Sequence, residues 1–193
     1  RGGGGLLVLT RIAMLWIPGP TEVRPEILAE CSRPAIGHRS AAMVELIERH
    51  RPTVLHGVPT MFVLLRRELQ RRTADLSSLR TGIIAGAPVQ PELVRALRDE
   101  VVPDLEIAYG LTETSPTVSL TGAGDGEARS DTVGRPIDGV EVQILDDGDR
   151  PAATGDTGEI AVRGPNVMLG YFRQPAATRS VLTADGFLKT GDL

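Results

Sequence analysis

Between Ala41 and Ala108, short apolar runs that end in glycine or a polar loop alternate with stretches of helical period. Ala41–His50 sets Met43, Leu46 and Ile47 at helical spacing, and Thr53–Leu55 is a β-prone run ending at Gly57. Thr60 is expected to cap the next helix, with Phe62, Leu65 and Leu69 on one face and a solvated row of Arg66, Arg67, Arg71 and Arg72 on the other. Gly82–Ala85 reads as a strand stopping at Gly86. Pro91–Val101 reads as a helix with Leu93, Val94 and Leu97 inward, and Leu105–Ala108 as a further strand. This order predicts an α/β fold, a parallel sheet with covering helices, whose ligands sit beyond the carboxyl ends of the strands. The loops after Ala85 and Ala108 are therefore where chemistry is expected.

Beyond Pro116 the pattern becomes β-rich. Val140–Leu145 and Glu159–Arg163 read as strands of a hairpin subdomain spanning about 134–172, and Asp146, Asp147, Gly148 and Asp149 read as its solvated turn. That turn lacks the distal glutamate of a calcium loop. The 193 residues carry 41% hydrophobic residues and a net charge of −4, with +5 over residues 1–74 and −9 over the rest. No basic run suggests nucleic acid, and no apolar stretch reaches the ~20 residues of a membrane span. Cys31 is the single cysteine, so the expected compartment is a reducing cytoplasm. Trp16 and Cys31 are read as packing residues. All basic residues are arginine except Lys189, which restricts any lysine-dependent mechanism to that position.

The most informative string is Tyr109-Gly110-Leu111-Thr112-Glu113-Thr114-Ser115-Pro116, directly after a strand. Glycine permits a tight turn, a threonine hydroxyl suits a phosphate oxygen, and a carboxylate is a hard ligand for magnesium. Tyr109 offers an aromatic face for a base. On chemistry alone, the string fits either a nucleotide site or a plain strand-to-loop turn.

Residues from about 45 to 193 resemble the adenylate-forming superfamily of acyl- and aryl-CoA synthetases, luciferases and peptide-synthetase adenylation domains. The resemblance rests on ordered motifs: Tyr109–Glu113, the Gly134-Arg135-Pro136 turn, Gly158-Glu159-Ile160 through Gly170-Tyr171, and Thr190-Gly191-Asp192-Leu193. His56–Phe62 (HGVPTMF) and Asp75–Pro88 are most similar to the fatty acyl-CoA synthetase branch. The resemblance implies part of the large domain of an AMP-forming ligase that joins a fatty acid to coenzyme A using ATP and Mg2+. By it, Thr112 contacts the α-phosphate and Glu113 holds the metal. Tyr109, Gly110 and Leu111 with Gly86, Ala87 and Pro88 enclose the adenine, and Asp192 accepts from the ribose hydroxyls. His56, Gly57 and Val58 line the acyl pocket. Glu159 is expected to serve the β-rich subdomain.

Residues 1–44 read as an irregular, proline-rich segment. Within them Met14–Ser40 resembles the N-terminus of class V pyridoxal-phosphate aminotransferases, through PGPTEV and PAIGHRS. That places a junction of two sequence types at Met43–Glu48. Neither the family's glycine- and hydroxyl-rich phosphate loop nor its lysine-bearing smaller domain is recognised here, so catalysis by this stretch alone is not expected. A nucleotide-binding module without catalysis is the alternative, and a transaminase fragment is disfavoured by the single lysine.

Overall fold

The computed structural model describes residues 42–122 and 130–193. Residues 14–40, with Trp16 and Cys31, for which the aminotransferase resemblance is expected, lie outside them. The chain opens with α1 (Ala42–His50), β1 (Val54–Gly57), α2 (Pro59–Leu69), β2 (Thr81–Ile84), α3 (Pro91–Glu100) and β3 (Asp104–Tyr109). β1, β2 and β3 are parallel neighbours, in register from Val54 to Thr81 and from Thr81 to Asp104. This is the predicted parallel sheet with its helices. Its carboxyl ends, at Gly57, Ile84 and Tyr109, lie along one edge.

The helices follow from spacing. In α1, Val44 and Ile47 stand one turn apart and are buried, with Glu45 in the first turn and Arg49 and His50 in the last, as the helix dipole favours. In α2, Phe62 and Leu65 are buried, and in α3, Val94 and Leu97. These side chains, with Ile84, Leu105 and others from the strands, form one continuous apolar cluster. Burying each large side chain contributes about 1.5–3 kcal/mol.

One local expectation is corrected. Thr60 lies inside α2 rather than capping it: Val58 is the extended N-cap and Pro59 starts the helix. Proline at that position has no N–H to satisfy and its φ is already helical. The arginine row is solvated as expected, with Arg67 and Arg71 exposed, and several of its members are also paired. Arg66 donates through Nε and Nη2 to Glu100 at 2.6 and 2.7 Å, and Arg72 donates to Glu48 at 2.9 Å. Arg71 lies 3.7 Å from Glu68. The pairs to Glu100 and Glu48 tie α2 and the residues just after it to the end of α3 and to α1.

After β3 the sheet continues in the opposite sense. β4 (Ser119–Leu120) pairs antiparallel with β3, and β5 (Arg135–Pro136) with β4. A second, antiparallel sheet has the order β6 (Glu141–Leu145), β7 (Glu159–Arg163), β8 (Leu188–Lys189), with α4 (Pro175–Val181) between β7 and β8. The acidic turn after β6 satisfies itself: the Asp146 carboxylate accepts from the N–H groups of Gly148 and Arg150 at 2.8 and 3.0 Å and from the Arg150 side chain. Val118, Val140 and Val162 form a second buried cluster to which Tyr109, Leu111, Val142 and Ile160 contribute. It joins the end of the first sheet to the face of the second. Among the described residues, no helix is long and apolar enough to cross a membrane.

Leu97 is fully buried at the centre of the first cluster, whereas Val54 is 44% exposed. Leu97→Ala is expected to cost about 2–5 kcal/mol, and Val54→Ala within about 0.5 kcal/mol. Urea unfolding checks both, through the midpoint at unchanged slope.

Candidate functional site

The string Tyr109–Pro116 is more than a strand-to-loop turn. It is the loop of a β3–β4 hairpin, closed where the Val118 N–H donates to the Tyr109 carbonyl at 2.8 Å. Inside it Thr112–Thr114 forms one 3-10 turn. Thr114 is completely buried. Its hydroxyl accepts the Leu111 N–H at 3.2 Å and faces two carbonyls, Leu111 at 2.9 Å and Pro116 at 3.1 Å. At Gly110 the returning chain passes so close that a Cβ would overlap the Pro116 carbonyl. The segment after β7 buttresses this loop from outside. Met168 N–H donates to the Glu113 carbonyl at 2.7 Å, and Asn166 Nδ2 to the Thr117 carbonyl at 2.8 Å.

A cavity of about 480 Å³ lies at the carboxyl ends of β2 and β3. Gly86, Ala87 and Pro88 form one part of its lining, and Tyr109, Gly110 and Asp192 another. Gly86 turns the chain at φ +84°, a conformation favouring glycine, and puts no side chain into the wall at its own position. The Tyr109 hydroxyl donates to Asp192 Oδ2 at 2.6 Å. Burial first, and then the Asp192 carboxylate, push the Tyr109 phenol up to about 12. The turn carrying Asp192 is fixed by β7: Ile160 N–H donates to the Asp192 carbonyl at 2.9 Å, and Glu159 Oε1 accepts the Gly191 N–H at 2.8 Å. Glu159 therefore serves the Asp192 turn as well as its own sheet.

A second, smaller cavity of about 200 Å³ is lined by Leu111, Glu113, Glu159, Tyr171, Ser180 and Lys189, among others. Here the Tyr171 hydroxyl donates to Glu113 Oε1 at 2.8 Å, and the Glu113 carboxylate holds the Tyr171 phenol above its usual range. Lys189 Nζ lies 2.7 Å from Asp149 and 3.9 Å from Glu159. The Asp149 carboxylate raises the Lys189 ammonium above the usual lysine range.

Of the residues singled out in the sequence, the larger cavity brings together Gly86, Ala87, Pro88, Tyr109, Gly110 and Asp192. Leu111 and Glu113 line the smaller one, and Thr112 is exposed on the turn between them. His56, Gly57 and Val58 line neither cavity. His56 is exposed on β1 and Val58 is 37% exposed. The sequence reading passed over Ser130, Asp131, Thr132 and Val133, which complete the larger cavity just before the Gly134-Arg135-Pro136 turn. It also passed over Thr114 and Tyr171 as functional positions. Thr114 carried a signal, a hydroxyl inside the loop, whereas the Tyr171 partnership had none within its local sequence.

The family described as AMP-binding enzyme matches residues 31–172. The mitochondrial medium-chain acyl-CoA ligase ACSF2 of Homo sapiens is 37% identical over 153 residues, 78% of this chain and 25% of its own length. Feruloyl-CoA synthase from a Streptomyces species is 36% identical over 152 residues, covering 79% of this chain and 30% of its own. Among solved structures, the anthranilate CoA ligase AuaEII in complex with anthranoyl-AMP superposes with a TM-score of 0.71 at 26% identity, covering 81% of this chain and 30% of that one. The chain thus spans between a quarter and a third of the length of these relatives.

The chain's two tyrosines, Tyr109 and Tyr171, should both ionise above the ordinary value of ~10, Tyr109 at about 12. The folded state then holds more protons than the unfolded one above pH ~10. The resulting stabilisation is complete below that pH and is lost as pH rises through about 12. Phenolate absorbance measured beside circular dichroism checks this. A tyrosine step at pH ~10 in a chain that is still folded would contradict it.

Proposed function

Because the chain belongs to the AMP-binding enzyme family, we propose that it is the adenylate-holding part of an AMP-forming acyl-CoA synthetase. In the parent reaction a fatty acid carboxylate attacks the α-phosphorus of ATP and pyrophosphate leaves. The acyl group of the adenylate then passes to the thiol of coenzyme A, releasing AMP. The observation that carries this reading is the cavity of about 480 Å³, where Gly86–Pro88, the Tyr109 ring and the Asp192 carboxylate line one space.

Each residue has work suited to its chemistry. The ring of Tyr109 lies against the adenine, with the Gly86–Pro88 backbone opposite. Asp192 accepts from the ribose hydroxyls; a carboxylate offers about four lone-pair sites, so the bond from Tyr109 leaves room for them. Thr112, exposed at the turn, donates to an α-phosphate oxygen, where charge grows during attack. Among the described residues no group of three or more histidine, cysteine, aspartate or glutamate side chains could hold a metal ion. A lone carboxylate such as Glu113 suits magnesium, since that ion keeps several waters and binds through one or two carboxylates beside phosphates. Magnesium, when bound, would supply charge neutralisation at the phosphates. His56, Gly57 and Val58 are assigned to the acyl side through the HGVPTMF resemblance. A cytoplasmic location belongs to the same reading.

Calorimetric titration with a non-hydrolysable acyl-adenylate analogue tests the proposal. The chain should bind, and Asp192→Ala and Thr112→Ala should each weaken binding at least about tenfold, as expected for losing a hydrogen bond to a charged group. Tyr109→Phe, which keeps the ring, should lose less than Asp192→Ala. A folded chain that does not bind, or binds all variants alike, would remove the reading.

A further inference from the structure

We infer that Tyr171 is a positioning residue for Glu113, its phenol fixing the carboxylate so that one oxygen stays directed to a divalent cation carried by the nucleotide phosphates. The inference rests on the reading of Glu113 as the metal-holding group.

Glu113 sits in a single 3-10 turn, an element with little stability of its own. The bond from Met168 N–H fixes its main chain only. A glutamate side chain restrained at the backbone alone still gives up its rotamer freedom when a ligand orders it. Tyr171 removes that freedom in advance by donating to Oε1 at 2.8 Å. It is itself well placed to do so. Its N–H donates to Thr178 Oγ1 at 2.9 Å, its carbonyl accepts the Gln174 N–H at 3.1 Å, and Thr178 Oγ1 donates to the Gln174 carbonyl at 3.0 Å. The first turn of α4 thus clamps both ends of the tyrosine's main chain.

The chemical nature of the donor matters more than its presence. A phenol is neutral at physiological pH, so it occupies one oxygen without cancelling the charge a cation needs. Lys189 lines the same cavity and would cancel it, but its ammonium is drawn to Asp149 and Glu159 and forms no ion pair with Glu113. The site therefore separates an orienting group from a neutralising one.

The test is calorimetric binding of ATP to the whole chain, once with saturating Mg2+ and once with EDTA; the ratio of the two affinities is the metal-dependent gain. Tyr171→Phe is expected to keep the affinity in EDTA and lose about tenfold of the gain, moving toward Glu113→Gln. Thr178→Val, which leaves both side chains in place but releases the Tyr171 main chain, should lose part of it. It also serves as the second variant if Tyr171→Phe fails to fold. An unchanged gain in Tyr171→Phe while Glu113→Gln loses it would overturn the inference. So would an equal loss with and without metal, the mark of a merely structural ring. No gain in the unaltered chain, or the same gain in Glu113→Gln, would instead bring down the reading of Glu113 and the inference with it.

Discussion

The buried hydroxyl of Thr114 holds the arrangement on which the rest of the site depends. Without it the Leu111 N–H and the carbonyls of Leu111 and Pro116 would share no common partner, and the loop could not cross itself at Gly110. Leaving a buried polar group unpaired costs about 1–3 kcal/mol, a large fraction of what a short loop can recover. Because the crossing is fixed, consecutive residues face different ways. Tyr109 and Gly110 look into one cavity, Leu111 and Glu113 into another, and Thr112 stands between them. A loop of this size thus turns five consecutive residues, Tyr109 to Glu113, toward two cavities and the surface between them.

The parallel strands supply only half of the setting. Their carboxyl ends provide glycine-rich corners, whereas the carboxylate facing Tyr109 comes from the far end of the chain, on a turn hydrogen-bonded to β7. The valine cluster joining the sheets fixes the distance between these halves. Its apolar packing sets the geometry in which a few polar groups act, a common division of labour in small-molecule sites.

What was legible in the sequence was local. Alternating apolar runs and helical spacings marked β1, β2, β3 and α1 to α3, because burial on one face writes a period into the chain. Pro59 overrode Thr60 as the helix start, a contest between two plausible signals. β4 and β5 are two residues each and exist only through their partners, so no period could reveal that the loop turns back on itself. Tyr109 and Asp192 were traceable through motif resemblance, yet their mutual hydrogen bond joins positions 83 apart. Tyr171 and Glu113 are 58 apart, and nothing near either tyrosine or glutamate announces the other.

The pairing of Lys189 has a further bearing on chemical self-compatibility. An acyl adenylate is an acylating agent, and an uncharged amine is among the groups it attacks most readily. Under the proposed function this chain would present one lysine to such a reagent, with its ammonium 2.7 Å from Asp149 and 3.9 Å from Glu159. Its other side-chain cations are guanidiniums, which stay protonated in proteins and are poor nucleophiles. An activated acyl group of the proposed kind would thus meet a paired ammonium and guanidiniums on this chain, neither of them a ready nucleophile.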